Sequence, residues 1–347
     1  MDLSSILEFA GGIAYICYTI YRTNHDQLIG ERNGTLLRWL LYGVVIVTAF
    51  YALFIFQLAA VSPTMVAPPT ADLSLPSIDL TWAAINLALT ALFSLFSIGV
   101  ITSPDFRQRI RLLLPASATY DPESPVHTTA WVLVLALISR VIAIFVVGGG
   151  ISGMAETLEA SGVALSDILF ENVLWVLAAT LGVGLFLRRT PQAALTRLGL
   201  RFPTVQDFRW GSGVGALLFG FVIILSRVWA GSVSPQELEQ QTAASSQLAQ
   251  AFNSLPLALL LSVIVAIGEE VFFRGALQPV FGNVLTTIMF TALHTQYTLT
   301  PATILIVATS LSLGWLRTRY STSASIIGHF VYNFSQLAIA VMVGTSV

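Results

Sequence analysis

Apolar runs of membrane-spanning length, separated by short polar breaks, leave this chain little choice of fold. Ten of them lie at roughly 5–21, 39–60, 81–102, 129–148, 168–187, 210–231, 254–274, 284–298, 301–316 and 323–344. A bilayer core of about 30 Å is crossed by about 20 predominantly apolar residues in a helix. Lipid offers the backbone no hydrogen bonds, so spanning segments are helices or closed barrels. The expected fold class is therefore all-α, a polytopic integral membrane helix bundle of about ten transmembrane helices. Only 10% of the 347 residues are charged, against about a quarter in soluble domains, which argues against a soluble enzyme. Asp2 and Glu8 stand where a signal peptide carries its cationic region, so the first run reads as a retained helix.

The charges test the count. All sixteen cationic residues are arginine, which excludes Schiff-base chemistry and a Walker-type phosphate lysine. The single cysteine, Cys17, forms no internal disulfide or cysteine metal cluster. A net charge of -2 gives no basic surface for nucleic acid. Arg22 and Arg32, the triplet Arg107, Arg109 and Arg111, the stretch from Arg188 to Arg209, and Arg317 with Arg319 fall in alternate breaks. The opposite breaks, 61–80, 149–167 and 232–253, hold Asp72, Asp79, Glu156, Glu159, Glu237 and Glu239 and no arginine. Because cytoplasmic loops are enriched in Lys and Arg, the expectation is a multi-pass protein of the cell membrane with both termini extracytoplasmic.

Polar chemistry concentrates in the second half. We divide the chain into an N-terminal four-helix membrane region, 1–165, and a C-terminal membrane core, 166–347, with its motifs in 254–342. Ionisable groups at membrane depth are costly and default to functional candidates. Sixteen of the eighteen carboxylates lie in loops or near span ends; Glu269 and Glu270 alone lie well inside an apolar run. His294 and His329 fall inside the eighth and tenth runs. Glu270 and Arg274 are four residues apart with the acid first, the favourable order for a helical ion pair. Glu269 then points about 100° round the helix, away from that pair. His329 and Asn333, also four apart, share a face. Arg140, in the middle of the fourth run, has no partner in its own helix and receives no role.

A carboxylate, two imidazoles and a carboxamide form a sufficient set for hydrolysing an amide with activated water. In a low dielectric a carboxyl group gains affinity for a proton, so it accepts one from water near neutral pH. The histidine and carboxamide supply donors for an oxyanion. No serine or cysteine nucleophile is required, and Glu269, His294 and His329 also make an acceptable zinc ligand set by type. Two rivals use the same residues without proteolysis: a proton-coupled transporter, which inverted repeats or broken helices would favour, and an immunity or scaffold protein.

These residues resemble the signatures EExxxR, FxxxH and HxxxN of the CAAX prenyl protease type 2 and bacteriocin-processing (CPBP) family of intramembrane proteases. They read Glu269-Glu270-Val271-Phe272-Phe273-Arg274, Phe290-Thr291-Ala292-Leu293-His294 and His329-Phe330-Val331-Tyr332-Asn333. The resemblance runs from about 254 to 342 and leaves residues 1–165 without a role. It implies an endopeptidase acting on a membrane-associated peptide or lipidated protein. By the same resemblance, Glu269 and His294 activate the attacking water, Glu270 and Arg274 hold the site in shape, and His329 and Asn333 form the oxyanion hole. It also implies a glutamate protease without a cofactor, zinc being the alternative.

Overall fold

A computed structural model describes residues 3–32, 34–61, 78–150, 165–232, 254–294 and 302–344. They form twelve helices: α1 Leu3–Ile29, α2 Thr35–Val61, α3 Leu80–Thr102, α4 Pro104–Leu113, α5 Pro125–Val147, α6 Leu165–Gly182, α7 Pro191–Leu198, α8 Val205–Ala230, α9 Leu255–Phe281, α10 Asn283–Leu293, α11 Ala302–Arg319 and α12 Thr322–Gly344. Among the described residues there is no β-strand, so the chain is an all-α polytopic membrane bundle. Seven helices, α2, α3, α5, α6, α8, α9 and α12, are long and apolar enough to cross a bilayer.

Of the other three expected spans, the first and ninth are found as helices α1 and α11, and the eighth is shorter than expected. The described side chains of α1 include Arg22, His25 and Asp26 in its last turns. α11 has 18 residues and ends in Arg317 and Arg319. The eighth run, read as 284–298, yields an 11-residue helix ending at Leu293. At about 1.5 Å per residue it reaches roughly half-way through a bilayer. His294 is therefore at a helix end rather than inside a span, with φ -98° and ψ 55°. Most of the acidic breaks 61–80, 149–167 and 232–253 lie outside the described residues.

Contacts divide the chain into two compact units, one of residues 1–150 and 180–194, the other of 151–179 and 195–347. In the first unit, α2, α3 and α5 pack through Leu37, Leu41, Val44, Ile101 and Val132 at one level and Ile55, Ala59, Ala83, Ala143 and Val146 at another. The arginine-rich break after α3 is itself helical, because Ser103 caps the Phe106 N–H at 3.1 Å and Pro104 fits the first turn. Arg107 is buried there and donates to the carbonyls of Val100, at 2.9 Å, and Pro122.

In the second unit α12 packs against α8, α9 and α11. Its closeness to α8 depends on glycine. A methyl group at Gly211 would stand 2.7 Å from the Ala324 carbonyl oxygen, and one at Gly215 would meet the Gly328 carbonyl. Small residues four apart let membrane helices approach backbone to backbone. The start of α12 is pinned by hydrogen bonds: Thr322 Oγ1 to the Leu198 carbonyl (2.6 Å), Ser323 Oγ to the Arg201 carbonyl (2.7 Å) and Ser321 Oγ to Asp207 Oδ1 (2.8 Å). Asp207 also completes the capping box that opens α8. The register of α12, and hence the height of His329, is fixed from this end.

α9 is not uniform. It is α-helical from Leu255 to Glu269, π-helical from Glu270 to Leu277 and α-helical again from Gln278 to Phe281. The wider turn ends around Pro279, which has no N–H to give the preceding turn. Two carbonyls of that turn are taken instead by arginines from elsewhere in the unit. Arg197 Nη1 donates to Gly275 at 3.1 Å, and Arg317 Nε donates to Arg274 at 3.1 Å. π-helical turns occur frequently at functional sites.

Candidate active site

The change from α to π winding falls between the two glutamates. Glu270, the first π residue, and Arg274, four later, both have no exposure. Their ion pair, Arg274 Nε to Glu270 Oε2, measures 3.2 Å. The guanidinium is held further by Ser310 on α11, which accepts from Nη2 at 3.1 Å and donates to Thr287 on α10 at 3.0 Å. Its face lies 5.1 Å from the centre of the Phe290 ring, a cation–π contact. A buried pair of this kind persists only when such extra contacts replace the lost water.

The third partner of the cluster comes from α12. His329 is 4% exposed, and its Nδ1 lies 3.0 Å from Glu270 Oε1. Glu270 is thus gripped on one oxygen by Arg274 and faced on the other by His329. The i,i+4 spacing anticipates the first contact; nothing in the spacing anticipates the second, 59 residues away.

Glu269 is placed differently. It is half-buried, and its Oε2 is buried with no hydrogen-bond partner among the described residues. Its charge acts on both Arg274 and His329. The adjacent carboxylates therefore have different surroundings: Glu270 is engaged by two basic groups, and Glu269 keeps an oxygen available.

His294 lies half-buried at the end of α10. Its ring stacks on Phe290, 4.3 Å between centres, and its Nδ1 is 2.8 Å from the Phe290 carbonyl. Phe290 links it to the cluster, since the same ring packs on Phe273 at 4.9 Å and under Arg274. Asn333, one turn beyond His329, is half-buried and makes no side-chain hydrogen bond among the described residues. The structure thus brings Glu270, Arg274 and His329 into direct contact and Glu269 into their electrostatic reach. His294 joins through Phe290, and Asn333 by its place on α12. Among the described residues, no group of three or more His, Cys, Asp or Glu side chains is arranged to hold a metal ion. Glu269, His294 and His329 are accordingly not gathered as a three-ligand set in this structure.

Several supporting residues carry no signal in the sequence. Ser310 and Thr287 are ordinary hydroxyls in apolar runs, and Gln278, whose Nε2 donates to the Gly314 carbonyl at 2.7 Å, looks like a span-end residue. Trp175 on α6 packs its ring, tilted, on Phe272 (4.5 Å) and Phe273 (5.9 Å) of the π segment.

Residues 251–335 match a family model described as type II CAAX prenyl endopeptidase Rce1-like. The match takes in all three motifs, so the resemblance read from them is borne out over this segment, and the class it implies is that of membrane endopeptidases. Residues 1–250 and 336–347 lie outside it. Comparison with curated proteins gives no match, and comparison with solved structures gives none.

Proposed function

We propose that the C-terminal unit, carrying an Rce1-like segment, is an intramembrane endopeptidase that hydrolyses a peptide bond of a membrane-associated protein with water activated by Glu269. The observation that supports it most is the unequal treatment of adjacent carboxylates. Glu270 is occupied by Arg274 and His329, which suits a group that holds geometry. Glu269 has a buried oxygen without a partner among the described residues, which suits a group that accepts a proton.

The reaction follows from those roles. Water sits between Glu269 and His294. As its oxygen bonds to the scissile carbonyl carbon, one water proton passes to Glu269 and the carbonyl π pair moves onto oxygen. His329, protonated and held through Nδ1 by Glu270, presents Nε2–H to that oxyanion, with the Asn333 Nδ2–H beside it. When the intermediate collapses, the C–N bond breaks and the proton on Glu269 passes to the leaving nitrogen. No metal ion takes part. The site opens toward the cytoplasmic side, where the arginine-rich loops lie, and both termini are extracytoplasmic. The substrate is an isoprenylated CAAX-type protein, by analogy with the matched family. The N-terminal region, 1–165, and the C-terminal core, 166–347, serve as separate regions, with the chemistry in the second.

The test is cleavage, in lipid nanodiscs, of a fluorogenic CAAX-type peptide with and without its isoprenyl group. The expected result is hydrolysis of the isoprenylated peptide by the wild type and turnover lower by about 10²-fold or more in Glu269→Gln. Equal hydrolysis by both proteins overturns the mechanism. Cleavage regardless of the isoprenyl group overturns the substrate assignment alone.

A further inference from the structure

Asn172 lies on α6, outside the segment matched by the family model, yet it belongs to the same compact unit as the site. It is 6% exposed, and its Nδ2 donates to the Ile168 carbonyl one turn back at 2.9 Å. That bond fixes the carboxamide and leaves Oδ1, which is buried with no donor among the described residues. The carboxamide rests on Gly268. A Cβ added there would lie 2.8 Å from both Cβ and Cγ of Asn172 and would overlap its Oδ1. Trp175, three residues on, holds the same face of α6 against Phe272 and Phe273. The position is therefore set by packing on both sides of Glu269.

Gly268 immediately precedes Glu269, and neighbouring Cα atoms are about 3.8 Å apart. Asn172 Oδ1, packed on Gly268, and Glu269 Oε2, on the next residue of α9, are both buried and each lacks a donor among the described residues. Both are acceptors when Glu269 is ionised, so neither satisfies the other. A water molecule has two O–H donors and satisfies both. We infer that Asn172 is a further residue of the catalytic site, holding the water on which Glu269 acts. With one O–H on each oxygen, one lone pair of the water is left for the His294 ring N–H and the other for the scissile carbonyl. The inference rests on the endopeptidase reading for its role in turnover, but the bridge itself is observable without turnover.

The experiment replaces Asn172 with Leu, which keeps the volume and removes the acceptor, with Asn172→Ala as a second variant should Leu impair insertion. Val173→Ala, at an exposed position of the same helix, is the control. Two readouts are taken on the full chain in nanodiscs. The first is the carboxylate stretching band of Glu269, assigned from the infrared difference between wild type and Glu269→Gln. The second is steady-state cleavage of the isoprenylated peptide. The expected result is a shifted Glu269 band and a fall in kcat of about tenfold to a hundredfold, with KM within about twofold and the control unchanged. An unmoved band overturns the bridge, whatever happens to the rate, and makes Asn172 a packing residue. A shifted band in a wild-type background that cleaves neither peptide keeps the bridge and overturns the endopeptidase reading.

Discussion

Along α3 the buried polar side chains are Asn86, Thr90 and Ser97, all neutral; along α9 they include Glu270 and Arg274, both charged and both without exposure. The contrast extends to the units that contain these helices. Charges buried in the first unit sit near helix ends and are answered locally. Asp26 is met by Arg22 one turn back at 2.8 Å, and Arg107 by backbone carbonyls. In the second unit Asp207 likewise sits at a helix start, in the capping box of α8, but Glu270 and Arg274 sit within α9 and are completed by α12, α10 and α11. Asn86 has no partner among the described residues, a condition that costs a neutral group about 1–3 kcal/mol. Removing one member of a buried ion pair costs about 3–5 kcal/mol. A membrane helix therefore tolerates an idle amide but not an idle charge, and a charge kept in mid-helix implies a surrounding constellation built to hold it.

That difference is open to attack by substitution. The largest stability effect is expected for Arg274→Met, which strands Glu270; thermal unfolding in detergent should reveal a loss of about 3–5 kcal/mol. The double variant Glu270→Gln/Arg274→Met should lose less than the sum of the single losses, because the two groups are coupled. Gly211→Ala comes next. Its methyl group meets the Ala324 carbonyl, so α12 must move, with a cost of about 1–3 kcal/mol and a fall in turnover as His329 is displaced. Smallest is Asn86→Leu in the first unit, which removes an unpartnered amide and should leave the unfolding midpoint unchanged or raised. A midpoint lowered as far as that of Arg274→Met would erase the contrast between the units.

Much of the fold was readable because lipid enforces a simple rule: apolar runs long enough to span became α2, α3, α5, α6, α8, α9 and α12. The eighth run was drawn too long: the apolar residues stop at Leu293, where the helix ends, and His294-Thr295-Gln296 that follow are polar. Helices α4 and α7 were hidden by their arginines, which made them look like loops, although Ser103-Pro104 is a start signal. The π winding of α9 was not legible, since helical periodicity assumes one pitch throughout; Pro279 was the available hint. At the site, Glu270 with Arg274 was legible because the contact is local. The contact of His329 with Glu270 was not, because it depends on the register of α12, which is set by Thr322, Ser323 and the two glycines of α8. Asn172 stood outside every motif, and only the packing on Gly268 singles it out.

The account's central claim is that two neighbouring carboxylates divide chemistry from architecture. It is tested most directly by measuring Glu269→Gln and Glu270→Gln side by side, for cleavage of the isoprenylated peptide and for thermal unfolding. Glu269→Gln should lose about 10²–10⁴-fold in turnover with its unfolding midpoint unchanged, while Glu270→Gln should lower the midpoint as well as the rate. Wild-type turnover in Glu269→Gln, or a midpoint that falls as far as in Glu270→Gln, would contradict it.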